Sequence, residues 1–345
     1  MLKKLFLSLL VLILIGAGVA AFAWQQFNQY MTSPLALEEP IESYIVERGR
    51  SFNGLLQDLE KQGVISQPLF VKVYARMNQL GNKIKAGEYY IDKDLTPIAL
   101  LDKFVVGDSV QHSFTIVEGH TFKQVKQALA NNDVLEQTLQ GKSDAEILKL
   151  IGAKENHPEG LFLAETYQLV RGTSDLDLLK RSYKALEAEL EQSWAGKAEN
   201  LPYKSPYEVL IMASIVEKET AVPAERPKIA GVFIKRMQIG MRLQTDPTVI
   251  YGMGDDYKGN IRRKDLRKPT AYNTYTIDGL PPTPIAMVGR DAIQASLHPE
   301  IGRALYFVAR GDGSHYFSSS LKEHNRAVRD YQLRRKEAYR STPEK

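Results

Sequence analysis

An uncharged run from Leu5 to Ala23, LFLSLLVLILIGAGVAAFA, follows the basic start MLKK and precedes Trp24. As a helix rising about 1.5 Å per residue, this stretch measures roughly 28 Å, the thickness of a bilayer's hydrocarbon core. Lys3 and Lys4 should then stay cytoplasmic, with Trp24 at the far interface. Ala21-Phe22-Ala23 also resembles a signal-peptide cleavage site. The run exceeds a typical signal core, so an uncleaved anchor over 1–24 is expected, with everything after it outside the cytoplasm. Residues 25–40, QQFNQYMTSPLALEEP, read as a polar tether.

Composition narrows the possibilities for the rest of the chain. With 345 residues, 43% hydrophobic and 25% charged, it has room for two or three domains. The net charge of +4 is too slight to imply a nucleic-acid partner, and the clusters RRKDLRK (262–268) and RRKEAYR (334–340) read as solvated faces. The absence of cysteine excludes disulfides, thiolate catalysis and zinc–thiolate sites, and fits an oxidising compartment. There is no H-E-x-x-H, the six histidines are dispersed, and no glycine-rich phosphate loop occurs. Ser214 and Lys218 are one residue too far apart for an S-x-x-K pair. No metal or cofactor is expected.

Beyond the tether lies a weak repeat. YIVERGRSFNGLLQDLEKQGVI (44–65) aligns with FTIVEGHTFKQVKQALANNDVL (114–135), matching Gly49 to Gly119, Ser51 to Thr121 and Phe52 to Phe122. Each copy predicts a strand, a glycine turn and a helix with Ser or Thr near its N-cap. After the first copy, 67–81 predicts a helix and 85–92 a strand. This β-α-α-β order resembles the LysM module, which implies a glycan-binding subdomain over 41–110.

The second half is helix-rich. Helices are expected at 175–194, at 205–220 with Ser205 as N-cap and Pro206 at N1, and at 224–240. Loops dense in polar and aromatic residues come next, at 242–252 and 270–285. Two strand-like runs, 304–310 and 315–320, flank the turn GDGS, and a closing helix spans 321–339. Tyr, Asn, Thr and Asp side chains in such loops suit sugar hydroxyls and acetamides, although Asn-Thr and Pro-Pro are also ordinary turn material.

The helix at 205–220 carries the candidate acid. Val209–Val216 holds one polar residue, Ser214, so the segment should be buried all round, yet Glu217 and Glu219 stand at its end. Burial disfavours a carboxylate and raises its pKa, which suits a general acid. The alternative is a glutamate salt-bridged to Lys218 or an arginine. Residues two apart on a helix point in nearly opposite directions. Glu217 shares a face with Leu210, Ala213 and Ser214, leaving room for a sugar, whereas Glu219 shares one with Met212, Ile215 and Val216. Glu217 is therefore the expected acid, its pKa raised by desolvation despite Arg226 and Arg236. Glu219 is expected to be structural, paired with Arg226 or Arg236.

The motifs EGLFLAETY (159–167), ASIVEKET (213–220), GMRLQTDPTVIYG (240–252), AYNTYTIDGLP (271–281) and YFVARGDGSHYF (306–317) together resemble the YceG-like family, over nearly the whole chain. Ala164-Glu165 and Thr283 depart from the family's Pro-Asp and Pro-Pro-Gly-Pro patterns. The resemblance implies an endolytic lytic transglycosylase that cuts β-1,4 MurNAc–GlcNAc bonds in nascent peptidoglycan and leaves 1,6-anhydro-MurNAc ends. It assigns the catalytic role to Glu217. It further implies a single-pass inner-membrane protein with a periplasmic catalytic domain over 111–345, working with peptidoglycan synthases of the penicillin-binding class.

Gln244, Thr245, Asp246, Tyr272, Asn273 and Tyr275 are the expected sugar contacts. Asp246 could instead cap a helix; if it reached Glu217, a muramidase-type hydrolase would be favoured. A non-catalytic, membrane-anchored glycan-binding scaffold is the other alternative. The expected fold class is α+β: a transmembrane helix, a small LysM-like β-α-α-β module, and a mixed helical and β catalytic domain.

Overall fold

The computed structural model describes residues 2–333, with side chains from residue 5 onwards. The basic cluster at 334–340, the end of the expected closing helix and the Lys3 and Lys4 side chains lie outside the described residues. The fold is mixed α+β, and it divides into two compact units.

The first unit runs through His112, with Val134–Glu136 and Gln168–Thr173 added. It opens with one helix, Leu2–Thr32, whose Leu5–Thr32 portion is long and apolar enough to cross a membrane. Here the tether reading fails. The helix continues through residues 25–32, and Phe27, Met31 and Leu35 are buried in the core of the unit. Tyr30 accepts hydrogen bonds at its hydroxyl from the backbone N–H of Ser66 and Gln67, at 3.0 and 3.1 Å. Those donors open the helix Pro68–Met77, whose N-cap Gln67 makes no side-chain cap of its own.

The β-α-α-β order is as expected: strand Ile41–Val46, helices Phe52–Lys61 and Pro68–Met77, and strand Gly87–Ile91. The strands pair antiparallel, with Tyr44 opposite Tyr89. Helix Pro97–Val106 closes the core, placing Phe104 edge-on to Tyr89 at 4.7 Å between centroids.

The second unit comprises Ser113–Asp133, Gln137–Tyr167 and everything from Ser174 onwards. The second copy of the repeat keeps its local chemistry. Thr121 and Gln124 form a capping box on helix Phe122–Ala130, as Ser51 alone caps Phe52–Lys61. Gly119 and Gly49 both adopt positive φ, +75° and +79°, in the turns before these helices.

Helix Arg290–Leu297 packs against Asp175–Ala195, Pro206–Glu219 and Arg226–Gln238. Val209–Val216 is buried on every side. At Gly231 a Cβ would lie 2.1 Å from the Glu300 carbonyl oxygen, so the absence of a side chain admits that backbone. The 242–252 region, expected as loop, folds from Asp246 to Met253 as a helix. Strands Tyr306–Ala309 and His315–Ser318 pair antiparallel before helix Leu321–Val328.

Candidate active site

Glu217 and Glu219 leave the same helix end in different directions. Glu217 is 3% exposed at its side chain, and its Oε1 lies 2.7 Å from Arg226 Nη2. Its Oε2 accepts from the Gly289 backbone N–H at 3.2 Å. The Arg226 guanidinium also reaches Glu118 at 3.0 Å and Asp291 at 3.3 Å. Burial lifts the Glu217 carboxyl above the usual range; the Arg226 charge opposes this and Glu118 reinforces it.

The room expected beside Glu217 is filled. Ser214 Oγ accepts from the Ile285 backbone N–H at 3.0 Å, so its small size admits the 285–289 segment rather than a sugar. Lys218 turns away and donates to the Gly119 carbonyl.

Glu219 faces a groove of about 450 Å³ whose lining includes Gln244, Thr245, Asp246 and Tyr275. Its Oε1 accepts from Thr245 Oγ1, and Oε2 has no protein hydrogen-bond partner among the described residues. Burial raises this carboxyl to about 7. The Thr245 hydrogen bond opposes the shift, Asp246 adds to it and Arg236 pulls it down. The expected ion pair with Arg226 or Arg236 is absent. Arg226 is taken by Glu217, and Arg236 donates to the carbonyls of Leu305 and Leu243.

Four of the six expected sugar contacts therefore gather around Glu219, not Glu217. Thr245 is the N-cap residue of helix Asp246–Met253, so Asp246 occupies the first helical position and is not the cap. Asp246 accepts from the Tyr275 hydroxyl at 2.6 Å. Gln244 is held at φ +49° with its backbone N–H on the Thr274 carbonyl, a strained conformation that exposes its side chain to the groove.

The other two lie elsewhere. Tyr272 bonds Thr283 at 2.8 Å and lines a separate hollow of about 830 Å³ with Tyr251 and Glu159. Asn273 is 1% exposed. Its Nδ2 donates to the carbonyls of Asp265, Leu266 and Lys268, and its Oδ1 accepts from the Tyr275 N–H. The hydrogen-bonding groups of the Asn273 side chain are thus engaged inside the loop, which they organise.

The YceG-like family model matches residues 44–330. The chain belongs to this family. This YceG-like chain is 30% identical over 321 residues to the endolytic murein transglycosylase of Bacillus subtilis, covering 86% of the chain and 88% of that relative. It is 25% identical over 366 residues to the endolytic murein transglycosylase of Streptococcus pneumoniae D39, where 95% of the chain spans 65% of the relative's length. A crystal structure of a YceG-like protein from Listeria monocytogenes is similar at 30% identity and a TM-score of 0.50, over 84% of this chain and 99% of that one.

Two further carboxylates of this YceG-like chain escaped sequence reasoning. Glu159 is 4% exposed and accepts from the Phe122 N–H at 2.8 Å and the Tyr251 hydroxyl at 3.1 Å. Burial lifts it to about 7. Its place ahead of the apolar LFLA was a usable signal. Glu118 had none, because it lies 99 residues from Glu217 in sequence and meets it, and their shared Arg226, only in the fold.

Proposed function

We propose that the chain is an endolytic lytic transglycosylase acting on β-1,4 MurNAc–GlcNAc bonds of peptidoglycan, with Glu219 rather than Glu217 as its general acid and base. The substrate reading is supported by the relatives named endolytic murein transglycosylase. The choice of acid rests on one observation: Glu219 lines the groove with Gln244, Thr245, Asp246 and Tyr275, and its Oε2 has no protein hydrogen-bond partner among the described residues. Glu217 has both oxygens engaged by protein donors, Arg226 and the Gly289 N–H, although burial lifts its carboxyl too.

Glu219, protonated near neutrality, donates to the glycosidic oxygen as the bond to C1 breaks through an oxocarbenium-like state. The MurNAc C6 hydroxyl attacks C1 of its own ring and returns its proton to the Glu219 carboxylate, leaving a 1,6-anhydro end. The nucleophile is tethered within the substrate, so effective molarity replaces an activated water. Asp246 shares the groove and favours a second reading, a muramidase-type hydrolase using two carboxylates.

Mass analysis of peptidoglycan digested by the full chain separates the readings. Anhydro ends support the transglycosylase, reducing ends the hydrolase, and intact strands a glycan-binding scaffold. Glu219→Gln should abolish cleavage while Glu217→Gln retains it in the folded fraction; the reverse result would restore Glu217 as the acid.

The wider proposal takes 41–110 as a LysM-like glycan-binding module, supported by its β-α-α-β order and antiparallel strand pair, and 111–345 as the catalytic domain. Residues 1–24 anchor the chain in the inner membrane by a single pass, with the remainder periplasmic, where peptidoglycan synthases are its partners. A mature N-terminus at Trp24 would overturn the anchor.

A further inference from the structure

His315 lines the same groove as Glu219 and is held there by Glu225. The carboxylate makes two contacts with this one residue. Glu225 Oε1 accepts from the His315 backbone N–H at 2.8 Å, and Oε2 lies 2.7 Å from Nδ1. A carboxylate can only accept, so Nδ1 carries the proton and donates it to this bond. In the neutral ring Nε2 is then an acceptor.

The ring's orientation is fixed from a second side, since it stands edge-on to Phe307 at 5.5 Å and 87°. The His315 side chain is 10% exposed, and Nε2 has no protein hydrogen-bond partner among the described residues. The backbone contact alone would fasten strand His315–Ser318 to the 3-10 turn Pro223–Glu225. The bond to Nδ1 does something else: it sets which ring nitrogen is left to meet a ligand.

We propose that His315 is a substrate-contacting residue of this groove, with Nε2 accepting a hydrogen bond from a hydroxyl or acetamide N–H of an N-acetylated amino sugar, and that Glu225 is its positioning residue. The proposal rests on the reading of the groove as the glycan site. It adds a recognition element contributed by the hairpin Tyr306–Ser318, which follows the Gln244–Asp246 segment in sequence.

The test uses the full chain with chitotetraose as probe, which carries the hydroxyls and acetamides of the substrate. His315→Asn keeps an amide where Nδ1 stood, able to donate to Glu225, but nothing reaches the Nε2 position. His315→Gln places its amide near Nε2. The expected result is chitotetraose binding weakened about tenfold in His315→Asn and restored to within threefold of the parent in His315→Gln, the loss of one hydrogen bond and its recovery. Glu225→Gln should weaken binding less than His315→Asn, and add nothing once His315→Asn is present.

Unchanged binding in a folded His315→Asn variant overturns the proposal, because a purely structural histidine would be served by asparagine. If His315→Asn does not fold, the imidazole nitrogen-15 resonances of the parent protein decide. A chitotetraose-induced shift at His315 Nε2 supports the contact, and a resonance unmoved at saturation overturns it. Failure of the underlying reading looks different: Glu219→Gln would still cleave peptidoglycan, or the parent would bind chitotetraose with Gln244 and Tyr275 resonances unmoved.

Discussion

Arg226 and Glu217 form a buried ion pair, Nη2 to Oε1 at 2.7 Å, between side chains that are 7% and 3% exposed. Removing the cation would strand Glu217 beside Glu118 and Asp291. Arg226→Met should therefore destabilise by about 3–5 kcal/mol, reduced where Glu217 takes up a proton. Glu217→Gln should cost about 1–2 kcal/mol, since its amide oxygen can still accept from Arg226. Glu118→Gln, on a half-exposed partner, should cost under about 1 kcal/mol. Urea unfolding of the three variants checks the ranking.

A second prediction concerns the pH dependence of cleavage. The Glu219 carboxyl, raised to about 7 by burial, is largely protonated at mildly acidic pH. As the proposed general acid it must carry that proton at the start of each turnover. Activity should therefore hold below neutrality and fall as pH rises through about 7. Asp246→Asn should move this descending limb to lower pH, because the Asp246 charge helps keep Glu219 protonated. A limb unmoved by that variant, in rate measurements from pH 5 to 9, would place the titrating group elsewhere.

Glu159 makes a stability prediction of the same sign. Its folded pKa of about 7 lies above the unfolded value, so the folded state binds the proton more tightly. Its contribution is fully present below the unfolded pKa, about 4.3, and is lost as pH rises through the folded value. Glu159→Gln should narrow the difference between urea midpoints at pH 5 and pH 8. Glu159→Ala should lower stability by about 2–3 kcal/mol at both, because the Phe122 N–H loses its acceptor.

Glu88 behaves oppositely. Hydrogen bonds from Ser43 and then Arg171 and His112 hold its carboxyl down at about 2. A depressed pKa stabilises above the unfolded value and ceases to do so as pH falls through the folded one. Stability of the first unit should drop between about pH 4.5 and 2, by roughly 1–2 kcal/mol after allowance for screening. Circular dichroism melts of Glu88→Gln over that window should show a flatter dependence than the parent.

What the sequence made legible was local. Ser51 and Thr121 announced helices that begin where their hydroxyls accept from Gly54 and Gln124. The unbroken apolar run before Glu217 announced a helix buried on all sides. The opposite directions of Glu217 and Glu219 also came from helical geometry. What occupies each direction did not, because a small residue such as Ser214 admits either a ligand or a neighbouring backbone, and here Ile285 took the space. Asn273 and Tyr275 look alike as polar loop residues; one is buried under three carbonyls and the other reaches Asp246. The Ser214 and Tyr275 outcomes depend on chain segments tens of residues away, which no spacing encodes.

The unbroken helix from Leu2 to Thr32 would turn the proposed anchor into a strut. If the embedded part ends at Trp24, the eight residues from there to Thr32 set a stand-off of about 12 Å, and Tyr30 and Phe27 lock the azimuth of the first unit around that axis. Inserting one residue after Trp24 would lift the unit by about 1.5 Å and swing it by roughly 100°. A loose leash would absorb such an insertion; a strut transmits it, so the length of this short span is a gauge for which way the first unit faces.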